Sequence, residues 1–299
     1  MTGAPMQRFS LPLAGGHLAG LNFGPAHGRI DLVFLHATGF NALTYRQLLA
    51  PLAPPWRVVA LDLRGHGLSS LPARPGRLMH WQGYAADVTA AIDPLSRGQG
   101  SPRLIAGHSM GATVALLALA RRPDLAGGLL MIDPATVPSA WRRWLLLPFA
   151  PRLLRRRLPI ARAAGRRRAD FDSPAAALAS YTGRGAFRTW QPGFLEDYVA
   201  DGFGPAPGGG VRLRCSPAWE SATFAAHRHD TLAALRALRV PARLLVAGRG
   251  STTAEMLPEI RMAAPAITIE TLQAFTHFIP MEAPQTVREH LLALATATA

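Results

Sequence analysis

Short apolar runs alternate with stretches of helical spacing along the first part of the chain. Residues 31–36 (DLVFLH), 57–63 (RVVALDL), 103–108 and 128–133 (GLLMID) are compact and apolar, as strands buried on both faces are. Residues 43–52, 81–92 and 110–121 between them carry the helical period, and 7–11 and 17–23 have the pattern of short leading strands. After residue 134 the rhythm stops. Up to about residue 226 no strong buried strand is visible, only helix-like stretches, prolines, an arginine-rich run and the turn-rich GFGPAPGGG. The rhythm returns with a strand at 243–248 (RLLVAG), a helix over 253–262, a strand over 267–272 and a last helix over 284–295. Strand and helix alternating in this way predict an α/β fold, a mostly parallel, doubly wound sheet with helices on both faces. Residues 1–134 and 227–299 then form the core, and 135–226 are an inserted helical cap.

Composition, charge and the N-terminal stretch sharpen this picture. At 299 residues and 49% hydrophobic, the chain has enough apolar surface for a core with a lid. The single cysteine, Cys215, can form no intrachain disulfide, and its RLRCSPAWE setting has none of the features that activate a thiolate. The N-terminal stretch MTGAPMQRFSLPLAGG lacks a basic region followed by a long apolar core, so no secretory signal and a cytoplasmic location are expected. The formal charge of +14 is carried entirely by arginine, without lysine. No zinc-finger spacing, basic helix with heptads or aromatic RNA-binding signature accompanies it, so no nucleic-acid partner is expected.

The chemistry gathers at two motifs. Gly107-His108-Ser109-Met110-Gly111 is a G-x-S-x-G sequence after a predicted strand and before a predicted helix, the context of a nucleophile elbow. The helix N-terminus beneath Ser109 favours developing negative charge. A serine hydroxyl is a weak nucleophile at neutral pH and needs a base. His277, in AFTHFIPME, follows the last predicted strand, at the carboxyl end of the sheet where ligand sites of such folds lie.

On these residues the chain resembles the α/β-hydrolase superfamily over nearly its whole length, the insertion excepted. His36-Ala37-Thr38-Gly39-Phe40 resembles that family's HGxG oxyanion loop, with Ala37 at the first glycine. Asp62-Leu63-Arg64-Gly65-His66-Gly67 resembles its D-x-R-G-H-G turn. The resemblance implies an α/β-hydrolase fold and an oxyanion hole made by the backbone N–H groups of Thr38 and Met110. It also implies that Asp62, Arg64 and His66 tie their turn together and that His36 orients the oxyanion loop. His108 is expected to be a wall or packing residue. The family's usual acid follows the seventh strand, where this chain has Ser251. Some members take it from the end of the sixth strand, here Asp133, and Asp133 is the expected acid with Glu255 as the alternative. An aspartate at 133 could also simply cap a strand end.

The resulting expectation is a carboxylic-ester hydrolase working through an acyl-enzyme, with Ser109, His277 and Asp133 catalytic and with no metal or organic cofactor. C–C, thioester or lactone hydrolysis and acyl transfer remain open on the same residues, as does a non-catalytic small-molecule receptor. The insertion has ten arginines from Arg142 to Arg168 and no acid over 135–169, interleaved with Trp141, Trp144, Leu145, Leu146, Leu147, Phe149, Leu153 and Leu154. Two readings follow: a basic amphipathic surface for anionic membranes, or a cap whose apolar side covers the site while arginines face water. The second is preferred, and in either case an apolar cap over Ser109 implies a small apolar acyl or aromatic substrate. The sequence is silent on oligomeric state.

Overall fold

The computed structural model describes residues 6–298, apart from the side chain of Arg142. The first five residues of the N-terminal stretch and Ala299 lie outside the described residues. Six strands come first: β1 (Met6–Leu13), β2 (Gly16–Phe23), β3 (Leu32–Leu35), β4 (Val58–Leu61), β5 (Leu104–His108) and β6 (Leu129–Ile132). Three short strands follow, β7 (Asp170–Phe171), β8 (Phe203–Pro205) and β9 (Val211–Leu213), and then β10 (Ala242–Arg249) and β11 (Thr268–Thr276). Eight of them form one sheet in the order β1-β2-β4-β3-β5-β6-β10-β11. β1 pairs antiparallel with β2 and β2 with β4; every later pairing is parallel.

The apolar runs explain the layering. All residues of β3, β4, β5 and β6 are buried, as a sheet covered on both faces requires. Helix Met110–Arg121 is buried from Met110 through Leu119, so it is apolar all round and lies between the sheet and its helical neighbours. Two buried clusters result, one including Val33, Leu35, Val59 and Ile105, the other Leu32, Phe34, Val58 and Leu104, as strand alternation dictates.

Three local expectations are corrected. Residues 43–52 do not form one helix but a 3-10 turn (Leu43–Tyr45), a single α turn (Arg46–Leu49) and another 3-10 turn (Ala50–Leu52). Pro51 removes an N–H from the ladder, which a continuous helix does not tolerate. β11 runs past residue 272 to Thr276. The segment between β6 and β10 is mostly helical but also holds a small antiparallel sheet, β7-β9-β8, whose β8 and β9 flank the glycine-rich turn. Strands of two or three residues are too short to show a period. Among the described residues no helix is long and apolar enough to cross a membrane.

Candidate active site

The carboxyl ends of β3, β5, β6 and β11 bring the sequence candidates together. Ser109 follows β5 at φ 54° and ψ −117°, one of two described non-glycine residues with positive φ. Such strain persists only where surroundings impose it. Here β5 runs directly into helix Met110–Arg121, and a Cβ on Gly107 would meet the backbone of Gly111, while one on Gly111 would meet Leu35 O. Only glycine lets strand, elbow and helix approach this closely. The Ser109 N–H donates to Ile132 O (2.9 Å), which ties the elbow to β6.

Asp133, at the end of β6, is the second positive-φ residue (φ 41°) and is fully buried. Its Oδ2 accepts from His277 Nδ1 at 2.6 Å and from the Thr252 N–H at 3.0 Å. Its Oδ1 accepts from the Ala247 N–H at 3.0 Å and from Ser251 Oγ at 2.5 Å. Burial opposes ionisation, but the bonds from His277, Ser251 and Ala247 prevail and hold the carboxyl below the usual aspartate range. With Asp133 ionised, His277 carries its proton on Nδ1 and presents the Nε2 lone pair. Ser251, at the position where the resemblance places an acid, instead donates to the acid from the neighbouring strand. Glu255 is exposed in a 3-10 turn (Ala254–Met256) and is one of the residues lining the cavity.

The loop after β3 is held from several sides. The Ala37 N–H donates to Tyr45 Oη (3.1 Å), the Gly39 N–H to His66 Nε2 (3.1 Å) and the Ala42 N–H to Asp62 Oδ1 (2.7 Å). Phe40 and Asn41 N–H groups are bonded within the loop. The Thr38 N–H alone in this run has no acceptor among the described residues. The Met110 N–H, first in its helix, has no intrahelical partner either. His36 accepts from the Leu63 N–H at Nε2 (2.9 Å), so its Nδ1–H donates to Ala37 O (2.8 Å). Burial keeps these histidines neutral, with His66 pushed down to about 4.

Sequence reasoning missed a buried relay. Tyr45 Oη, which receives the Ala37 N–H, lies 2.8 Å from His108 Nδ1, and His108 Nε2 lies 2.8 Å from His277 O. Burial first, then the neighbouring His277, push His108 down to about 3, so it is neutral. His108 therefore links the loop after β3 to the His277 loop instead of only filling space. Nothing local in the sequence marks Tyr45, because the link spans elements far apart in the chain. Glu282 was also unmarked; it accepts from the Thr276 N–H (2.7 Å) and so closes the His277 loop.

Ser109, Thr38 and His277 line one cavity of about 580 Å³. Its walls include Trp81, Val137, Leu145, Leu154, Leu158 and Phe224, and no arginine is among the described residues that line it. No group of three or more His, Cys, Asp or Glu placed to hold a metal ion occurs among the described residues. The cavity brings together the Ser109 hydroxyl, an imidazole with a free Nε2 and Thr38, whose N–H is unspent, with the Asp133 carboxylate paired behind the imidazole.

Residues 32–290 match a family model described as "Alpha/beta hydrolase family". A "Serine hydrolase-like protein" of Danio rerio is 37% identical over 126 residues, which are 42% of this chain and 37% of that protein. A "2-(acetamidomethylene)succinate hydrolase" of Mesorhizobium japonicum is 32% identical over 102 residues, 34% of each chain. The matched region thus spans little more than a third of the length of these curated relatives. The crystal structure of E-2-(acetamidomethylene)succinate hydrolase has the same fold, with a TM-score of 0.79 at 22% identity, covering 98% of this chain and all of that one.

Proposed function

This chain belongs to the α/β-hydrolase family, and we propose from that premise that it is a serine hydrolase that cleaves a carboxylic ester of an apolar acyl or aromatic acid. Ser109 attacks the carbonyl, His277 Nε2 takes the serine proton and returns it to the leaving alcohol, and Asp133 holds the imidazole in the Nδ1–H form and stabilises the imidazolium. The N–H groups of Thr38 and Met110 receive the oxyanion. Water then repeats the sequence on the acyl-enzyme. The observation that carries this reading is the 2.6 Å contact of buried Asp133 with His277, in a cavity shared by His277, Ser109 and the unpaired Thr38 amide.

The cavity lining supports the substrate class. A succinate, as named for one relative, is a dianion and needs a counter-charge once out of water. The apolar walls without arginine favour a neutral acyl chain or ring instead. Residues 135–226 would act as the cap that closes this space, since Leu145, Leu154 and Phe224 come from it. A panel of p-nitrophenyl esters from acetate to decanoate tests the reading. kcat/KM is expected to rise about fourfold per added CH₂ until the cavity is full, at roughly 0.8 kcal/mol per buried methylene. A preference for monoesters of dicarboxylic acids, or no turnover of any ester, would overturn it.

A further inference from the structure

The segment that covers the cavity carries a second surface that the chemistry above leaves unused. Its sequence predicts an apolar side turned onto the site and arginines turned to water. The structure divides the apolar residues differently. Leu145 and Leu154 are buried, but Trp141 (56% exposed), Leu146 (49%), Phe149 (52%) and Ile160 (52%) stand out into solvent. With Leu147, five of the nine exposed large apolar side chains among the described residues fall within residues 141–160. Single exposed apolar residues are ordinary; a run of them on one segment marks a contact surface. Trp141 and Ile160 also belong to the cavity lining, so this surface continues into the cavity.

The charge beside it is uncompensated. Arg152, Arg155, Arg156, Arg157, Arg162 and Arg166 form no ion pair among the described residues. Arg167, in the same run, behaves differently: it turns onto Glu220 at 2.8 Å and donates to Tyr198 Oη at 2.6 Å. Two grooves share Arg155 and Arg156. One, of about 520 Å³, adds Arg152 with Phe149 and Leu153; the other, of about 420 Å³, adds Arg162 and Arg166. Arginine walls thus stand next to apolar side chains on one short stretch.

We infer that this face docks on an anionic phospholipid surface, with the arginines on lipid phosphates and Leu146, Leu147 and Phe149 entering the headgroup boundary. A soluble acidic partner would satisfy the arginines but give the exposed apolar residues nothing to enter. Their interleaving in one segment is what a bilayer surface matches. Docking in this way would bring lipid-dissolved substrate to the cavity, and that consequence rests on the hydrolase reading; the docking itself does not.

Flotation of the full chain with vesicles tests it without any turnover. The chain is expected to float with mixed phosphatidylglycerol–phosphatidylcholine vesicles at low salt, not with phosphatidylcholine alone, and to be released as salt rises. R152Q/R156Q/R162Q should bind about a hundredfold more weakly, at roughly fivefold per arginine. L146S/F149S, with the charge unchanged, should also lose at least about tenfold. All these residues are exposed or half-exposed, so melting temperatures report that both variants fold. Absence of flotation on anionic vesicles would overturn the inference, as would equal binding to phosphatidylcholine. So would full vesicle binding by L146S/F149S alongside loss of both vesicle and polyglutamate binding by the arginine variant, which would make the face a site for a soluble acidic partner.

Discussion

Replacing Asp133 by Asn isolates the carboxylate from its geometry. Both oxygens of Asp133 face backbone donors, Ala247 N–H on Oδ1 and Thr252 N–H on Oδ2, each at 3.0 Å. An amide has only one acceptor oxygen, so in either orientation its NH₂ meets a backbone N–H. With NH₂ at the Oδ2 position it also opposes His277 Nδ1–H and drives the proton to Nε2, which removes the base. With NH₂ at the Oδ1 position the tautomer survives, but the imidazolium has lost its counter-charge. Either way kcat should fall on the order of 10⁴-fold, the loss seen when a serine-protease triad exchanges its aspartate for asparagine, which is about 5.5 kcal/mol. The stranded backbone N–H adds about 1–3 kcal/mol of instability, or roughly 2–10 °C in Tm. Hydrolysis of a short p-nitrophenyl ester, normalised to folded protein, gives kcat and KM, and thermal unfolding followed by circular dichroism gives Tm. Glu255→Gln, at an exposed residue, should change kcat by less than about tenfold. Retention of kcat within about tenfold in Asp133→Asn would refute the assignment, and the reverse ranking of the two variants would move the acid to Glu255.

Tyr45→Phe strands the Ala37 N–H and His108 Nδ1; kcat and kcat/KM should fall together by about 10–100-fold, the mark of an interaction used in the transition state, and unchanged kinetics would show that the relay is not used. Gly39→Ala puts a Cβ at φ +81° within 2.6 Å of Glu220 Oε1, so it should distort the loop that offers the Thr38 N–H and lower kcat at least about tenfold; wild-type turnover would remove that loop from the mechanism. Burial lowers the pKa of His36, His66, His108, His227 and His229. Each is neutral when folded but takes a proton in the unfolded chain below about pH 6.5, so stability is complete above that pH and is lost as pH falls towards the lowered values. At roughly 1.4 kcal/mol per pH unit per histidine, urea midpoints should drop steeply between pH 6.5 and 5, and a flat profile there would contradict the neutral, buried assignment.

Much of the core could be read in the chain because its strands are buried on both faces and appear as continuous apolar runs. Ser109 was legible through the two glycines that its turn requires, and His277 through its place after the last strand. Asp133 was accessible only through the family resemblance, which offers the end of the sixth strand where Ser251 occupies the more usual position; that Ser251 would donate to Asp133 depends on β6 and β10 pairing, which no local pattern encodes. Tyr45, His108 and Glu282 act through partners 63, 169 and 6 residues away. Only the last separation is local, and it joins the end of β11 to a four-residue helix (Ile279–Glu282) too short to show a period. In the insertion, composition revealed the arginines but not which apolar residues turn inward. Leu145 and Leu146 are adjacent in sequence, yet one is buried and the other exposed.

The central claim is that Ser109 is a nucleophile activated by His277. Intact-mass measurement after treatment with a fluorophosphonate tests it directly. The account predicts a single adduct, located on Ser109 by peptide mapping, absent from Ser109→Ala and formed at least about a hundredfold more slowly in His277→Ala. An adduct of equal yield on Ser109→Ala, or equal labelling rates with and without His277, would contradict it.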